Sequence, residues 1–154
     1  MMISPMDVRY AVIGSGNGGL AMAGYLAIKG FSVNLYNRTE EKIRALMDDP
    51  RIALSGSEEG IGLLNLVTSN LEEALRDTDI IMVTTPATAH HNLAKLMAPY
   101  LKDGQIIVLN PGRTGGALEV HETIKSSGCE KYVIVSEAQT FIYACRATGS
   151  KSAR

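Results

Sequence analysis

The residues best placed to do chemistry in this chain are glycines. Gly14, Gly16 and Gly19 follow the spacing G-x-G-x-x-G, with Ser15, Asn17 and Gly18 between them. An apolar run, 8–13, leads into them, and a small-residue helical pattern, 20–28, leads away. The order is strand, tight turn, helix. Gly14 permits the sharp turn, Gly16 lets a pyrophosphate approach the backbone with no Cβ in the way, and Gly19 lets the helix lie close on the strand. The phosphates would rest on N–H groups at the positive end of the helix. The spacing alone is common in glycine-rich turns. Its place between a buried strand and a helix, with a second strand pattern at 31–36, is what points to a dinucleotide. The competing reading is a plain strand-turn-helix whose glycines only pack.

Folds that bind NAD in this way put an acidic residue after the second strand for the ribose 2′-OH. This chain has Asn37, Arg38 and Thr39 there. A carboxylate would repel a 2′-phosphate, whereas an amide, a guanidinium and a hydroxyl would accept it. The expected cofactor is therefore NADP, with NAD as the alternative. The plain reading of Arg38 is a surface residue beside a helix cap.

Three more stretches are expected at the carboxyl ends of strands, where open α/β sheets bind ligands. Thr84, Thr85, Pro86, Ala87 and His90 belong to the first, and Asn110, Pro111 and Gly112 to the second. These are assigned to the cofactor. Arg113, Glu137, Gln139 and Thr140 are assigned to the substrate side. His90 and His91 invite a general acid/base reading, but adjacent helical residues point in different directions. At most one can face the cleft, and His90 is the only catalytic candidate retained. His121 reads as a surface residue. Arg146 could hold a substrate carboxylate or pair with Glu137. No Ser/His/Asp or metal constellation is visible.

The elements that must position these residues alternate. Strands are predicted at 7–13, 31–36, 80–85, 105–109 and 132–136, and helices at 17–29, from Thr39 to about 48, from Ser69 or Asn70, around 93–101, and at 117–126. Two short β patterns, 51–54 and 61–68, flank a hairpin loop. In the second strand Phe31, Val33 and Leu35 alternate with Ser32 and Asn34. Ser69 and Glu72 fit a capping box. Leu93, Leu96, Met97, Tyr100 and Leu101 form a helical stripe that Pro99 ends or kinks. The alternation argues an α/β, Rossmann-type doubly wound, mainly parallel sheet with helices on both faces.

A chain of 154 residues with net charge −1 is one domain, and it lacks the field that nucleic acid or a membrane surface would attract. No apolar run is long enough for a bilayer, and residues 1–6 carry no leader pattern. Cys129 and Cys145 lack metal-ligand spacing and read as reduced, buried thiols of a cytoplasmic protein.

Several stretches together resemble the opine dehydrogenases, the octopine/nopaline dehydrogenase group. They are Gly14-Ser15-Gly16-Asn17-Gly18-Gly19, Thr85-Pro86-Ala87-Thr88-Ala89-His90, Asn110-Pro111-Gly112-Arg113-Thr114-Gly115-Gly116, and residues 137–146, EAQTFIYACR. The resemblance implies NAD(P)H-dependent reductive condensation of an α-keto acid with the amino group of an amino acid, with hydride passing to the imine carbon. It also implies a second, helical domain that carries a catalytic His–Asp pair. On that reading residues 1–154 are the dinucleotide-binding domain alone, catalytically incomplete, with a face left open to self-association into a homo-oligomer. Asn37-Arg38-Thr39 also resembles the NADP-binding 6-phosphogluconate dehydrogenases of the wider superfamily. Two other readings stay open: another dehydrogenase acting on a hydroxy acid or sugar phosphate, and a non-catalytic NAD(P)-binding module.

Overall fold

The computed structural model describes residues 7–154, so the expectation that residues 1–6 hold no leader lies outside the described residues. The main-sheet strands are β1 (Arg9–Ile13), β2 (Ser32–Tyr36), β5 (Leu66–Thr68), β6 (Ile80–Val83), β7 (Ile106–Leu109) and β8 (Ile134–Glu137). All pair in parallel, in the order β5-β2-β1-β6-β7-β8. The order reverses between β1 and β6, which opens the ligand crevice of a doubly wound sheet. Helices α1 (Asn17–Ile28) and α2 (Arg44–Asp48) cover one face; α3 (Leu71–Leu75), α4 (His90–Met97) and α5 (Gly116–Ser126) cover the other.

Burial explains the strand patterns. Ile81, Val83, Ile107 and Leu109 point under α4 and α5, among Met97, Val120 and Ile124. Val12, Val33 and Leu35 point the opposite way, under α1 and α2. The expected alternation in β2 holds for Val33 and Leu35 and fails for Asn34, which is buried. Its Nδ2 donates to the Ala74 carbonyl at 3.0 Å, and its Oδ1 accepts from Asn65 Nδ2 at 2.8 Å. An interior strand faces protein on both sides, and a polar side chain there must be bonded.

A second sheet lies on the outer side of α1. It contains β3 (Arg51–Leu54), β4 (Gly60–Leu63), β9 (Ala147–Gly149) and β10 (Ser152–Ala153), in the order β4-β3-β10-β9. The predicted hairpin is present, because β3 and β4 pair antiparallel. The single β pattern at 61–68 is corrected: it is two strands in different sheets, β4 outside and β5 in the main sheet. Residues 147–153, for which no element was predicted, supply the other two strands. Asp49 joins this sheet together, its carboxylate accepting from Arg51 Nε at 2.7 Å and pairing with Lys151. Those bonds, the Arg51 one foremost, hold its carboxyl well below the usual carboxylate range.

Being packed between two sheets dictates the composition of α1. Leu20, Ala21, Met22, Ala23, Gly24 and Leu26 are all buried. A Cβ on Gly24 would lie 2.9 Å from Ile52 Cγ2, and one on Gly62 would lie 2.6 Å from the Gly24 carbonyl oxygen. Only a helix lined with small residues admits backbones this close on both sides.

Three local expectations are corrected. Thr39 makes no side-chain cap, and the helix predicted from it breaks into a 3-10 turn, Glu40–Lys42, followed by α2. The Ser69–Glu72 capping box does not form; Asn70 is the cap, its Oδ1 accepting from Glu73 N at 3.3 Å. Of the predicted stripe, Leu93, Met97 and Leu101 are buried, but Leu96 and Tyr100 face outward; α4 stops at Met97, and Pro99 sits in the closing 3-10 turn, Ala98–Tyr100, as its position implied.

The close approach at Gly62 gives a test of the second sheet. Overpacking a tight contact costs about 1–3 kcal/mol. Gly62→Ala should therefore lower the thermal midpoint measurably by circular dichroism. An unchanged midpoint would mean that β4 does not rest on α1.

Candidate functional site

The glycine turn is built by backbone contacts. Gly14 has φ 110°, a value side-chain-bearing residues rarely adopt, and its N–H donates to the Tyr36 carbonyl at 2.9 Å. A Cβ on Gly19 would lie 1.8 Å from the Gly14 carbonyl oxygen, so α1 touches the turn backbone to backbone. A Cβ on Gly16 would meet nothing within 4 Å. The three glycines thus divide into turn, contact and open ground. Helical hydrogen bonding in α1 begins with Leu20 N donating to the Gly16 carbonyl at 3.0 Å. The N–H groups of Asn17, Gly18 and Gly19 precede that ladder and gather beside the open ground at Gly16, where the helix dipole favours an anion.

Neighbouring strands brace the turn. Thr84 Oγ1, past the end of β6, donates to the Ile13 carbonyl at 2.9 Å. Asn37, past β2, donates through Nδ2 to Ser15 Oγ at 2.6 Å and accepts the Thr39 N–H through Oδ1 at 2.9 Å. Thr84, Asn37 and Ser15, assigned from sequence to the cofactor, therefore use these side-chain atoms to hold the loops in register.

A groove opens beside the turn. Gly14, Tyr36, Asn37, Arg38 and Thr39 line one side, and Thr85, Pro86 and Ala89 the other. Ala89 takes the place expected of Ala87. Arg38 is exposed and near enough to oppose the effect of burial on the Tyr36 phenol, whose pKa burial raises and the guanidinium lowers. Lys42 and Leu96 also line the groove, and the sequence reading missed both. Lys42 falls in the segment expected to be a plain helix. Leu96 belongs to the apolar stripe of α4, whose period cannot tell a core position from a groove wall. Thr85 Oγ1 is buried and has no hydrogen-bond partner. A cradle without Cβ, clustered N–H groups and two cations suit a dinucleotide.

On the other side of the crevice, Arg113, Thr114, Gly115, Glu137 and Gln139 line a shallow groove. Three of the four substrate-side residues are thus brought together. Thr140 is exposed next to Gln139 in the chain. Glu137 is a strut: its Oε2 accepts the Ala117 N–H at 2.7 Å, at the start of α5, and its Cβ lies 2.2 Å from where a Gly112 Cβ would be. Its carboxylate bonds the α5 backbone, and Arg146 pairs instead through its backbone with Arg154. Asn110, which precedes a cis bond to Pro111, is buried and donates through Nδ2 to the Val108 carbonyl at 2.9 Å.

His90, the catalytic candidate, is 1% exposed, and its Nε2 lies 3.1 Å from the Thr85 carbonyl oxygen, so the ring supports the 85–90 turn from inside. His91 faces α5, 3.2 Å from Thr123 Oγ1 and 3.8 Å from Glu119. His121 lies on the surface against Glu122. Cys129 and Cys145 are free and half-buried, and burial pushes the Cys145 thiol up. No helix among the described residues is long and apolar enough to cross a membrane, and none of their His, Cys, Asp and Glu side chains cluster as a metal site.

Comparison with known proteins agrees with this geometry. Residues 9–126 match the family of the NAD-dependent glycerol-3-phosphate dehydrogenase N-terminus. The opine dehydrogenase of Arthrobacter sp. (strain 1C) is 38% identical over 138 residues, which cover 89% of this chain and 38% of that enzyme. An octopine dehydrogenase solved with NADH and pyruvate superimposes with a TM-score of 0.82 at 25% identity, over 95% of this chain and 39% of the other. A yersinopine dehydrogenase solved with NADP+ bound shares the fold at 16% identity, with a TM-score of 0.75, over 97% of this chain and 39% of the other. The chain thus spans 38–39% of the length of these relatives. By its glycine turn, its sheet order and its match over residues 9–126, the chain belongs to the NAD-dependent glycerol-3-phosphate dehydrogenase N-terminal family, as an NAD(P)-binding domain of the kind found in opine dehydrogenase-like oxidoreductases.

Proposed function

We propose that this domain presents NADPH, in preference to NADH, to the reductive joining of an α-keto acid with the amino group of an amino acid. The observation that carries the reading is the extent of the likeness to the Arthrobacter opine dehydrogenase. It runs over 138 residues, longer than the 9–126 segment shared with the glycerol-3-phosphate family. When bound, the nicotinamide supplies hydride. The residues of this chain bind and orient it. The N–H groups of Asn17, Gly18 and Gly19 take the pyrophosphate over Gly16. Arg38 and Lys42 supply positive charge for the 2′-phosphate.

Arg113 and Gln139, with Thr140 beside them, are assigned to the substrate carboxylates, since a guanidinium binds a carboxylate through paired N–H bonds. Glu137 keeps that wall in place. His90 is sealed in the core, and the acid/base group is assigned to the part of such an enzyme that this chain, spanning 38% of its Arthrobacter relative, does not cover. The free thiols of Cys129 and Cys145 suit a reducing, cytoplasmic setting. A second reading, a phosphorylated hydroxy substrate, draws support from the family match over residues 9–126. An activity screen of the longer parent protein with keto acids plus amino acids, and separately with glycerol 3-phosphate, separates the two.

Two variants test the cofactor assignment. Gly16→Asp should fold normally, since its Cβ has open space, yet lose dinucleotide affinity because a carboxylate then faces the pyrophosphate. Calorimetry showing unchanged affinity in a folded variant would remove the assignment. Arg38→Ala deletes one charge-assisted contact of about 1.5–3 kcal/mol, or about ten- to a hundredfold in NADPH affinity. NADH affinity should barely change; equal loss of both would mean that Arg38 does not read the 2′-phosphate.

A further inference from the structure

The first turn of α1 is covered by a segment that begins on the far side of the crevice. After β8 the chain crosses from the edge of the sheet back to α1. Phe141 comes to rest on Gly18: a Cβ there would lie 2.4 Å from the ring's Cζ and 2.7 Å from its Cε2. Further along, the Ala147 N–H donates to Asn17 Oδ1 at 2.8 Å. Adjacent residues of the turn, Asn17 and Gly18, therefore hold this strap. Gly18 is small for a reason different from Gly16. The space beside Gly16 is open, whereas the space beside Gly18 is filled by an aromatic ring.

The sheet order says which half of a dinucleotide this ring meets. β1 is central, with β2 and β5 on one side and β6, β7 and β8 on the other. The groove with Arg38 lies on the β2 side and suits the adenosine half. A dinucleotide that crosses the start of α1 continues over the carboxyl ends of β6, β7 and β8. The strap leaves from β8 and lands on α1, so it spans the half of the crevice where the nicotinamide goes.

We infer that Phe141 is a positioning residue for the nicotinamide half of the cofactor, and that Gly18 is the gap that admits its ring. The inference rests on the reading of the glycine turn as a dinucleotide site. Flat rings attract one another in offset or edge-on arrangements, so Phe141 offers the nicotinamide a wall to settle against. Gln139 and Thr140 immediately precede Phe141 in the chain, so the same anchoring places the substrate-side residues beside the nicotinamide.

The test compares two probes that differ only in that ring: NADPH, and 2′-phospho-ADP-ribose, which lacks nicotinamide. Phe141→Ala should weaken NADPH roughly three- to tenfold, the range for one aromatic contact, and leave 2′-phospho-ADP-ribose unchanged. Phe141→Leu keeps the apolar packing and should still lose NADPH selectively; it serves if the alanine variant does not fold. Equal weakening of both probes, or NADPH affinity unchanged in either Phe141 variant, overturns the inference while leaving the dinucleotide site in place. Wild-type protein that binds neither probe would instead remove the dinucleotide reading itself.

Discussion

The contact of Gly19 on the carbonyl of Gly14 is the constraint from which the remaining geometry follows. A Cβ there would lie 1.8 Å from the carbonyl oxygen, so the first turn of α1 can sit on the end of β1 only as bare backbone. That contact points the helix start at the crevice and leaves its leading N–H groups ahead of the helical ladder. The loops after β2 and β6 then brace the turn through Asn37–Ser15 and Thr84–Ile13. Each brace joins strands that are neighbours in the sheet, so the parallel order and the site support one another. The same demand for closeness recurs on the far side of α1, where Gly24 and Gly62 let a second sheet pack against it.

Much of this was legible in the sequence because it depends on backbone geometry, which residue type restricts strongly. Gly14, Gly16 and Gly19 reveal a turn, a cradle and a contact, and the apolar runs of β6 and β7 reveal interior strands of the sheet. What was not legible depends on which partner an element meets. Residues 61–68 read as one β pattern, yet Leu64 and Asn65 carry the chain from one sheet to the other. Asn34 looked like an outward position because period-two alternation assumes a solvated face, and β2 has none. Leu96 fits the helical period of the core and lines the groove.

The candidate site shows a second distinction that residue type conceals. Asn37, Thr84, Asn110 and Glu137 are polar residues at strand ends and His90 opens α4, and all commit hydrogen bonds to the protein itself. They hold loops. The groups left facing the crevice are fewer: the open backbone at Gly16, Arg38 with Lys42, and Arg113 with Gln139. A polar side chain at a strand end is needed whether it binds a ligand or satisfies a neighbouring carbonyl, since buried polar atoms require partners. Only the three-dimensional arrangement separates the two roles.

The central claim is that a dinucleotide binds across the carboxyl ends of the strands with its pyrophosphate on the first turn of α1. Amide chemical shifts of isotope-labelled protein, followed during titration with NADPH, test it residue by residue. The account predicts the largest movements at the N–H groups of Asn17, Gly18 and Gly19, with further movement at Arg38 and Thr85, and none at Arg9, Thr78 or Gln105 at the opposite end of the sheet. Movements concentrated at that opposite end, with the glycine turn silent, would contradict it.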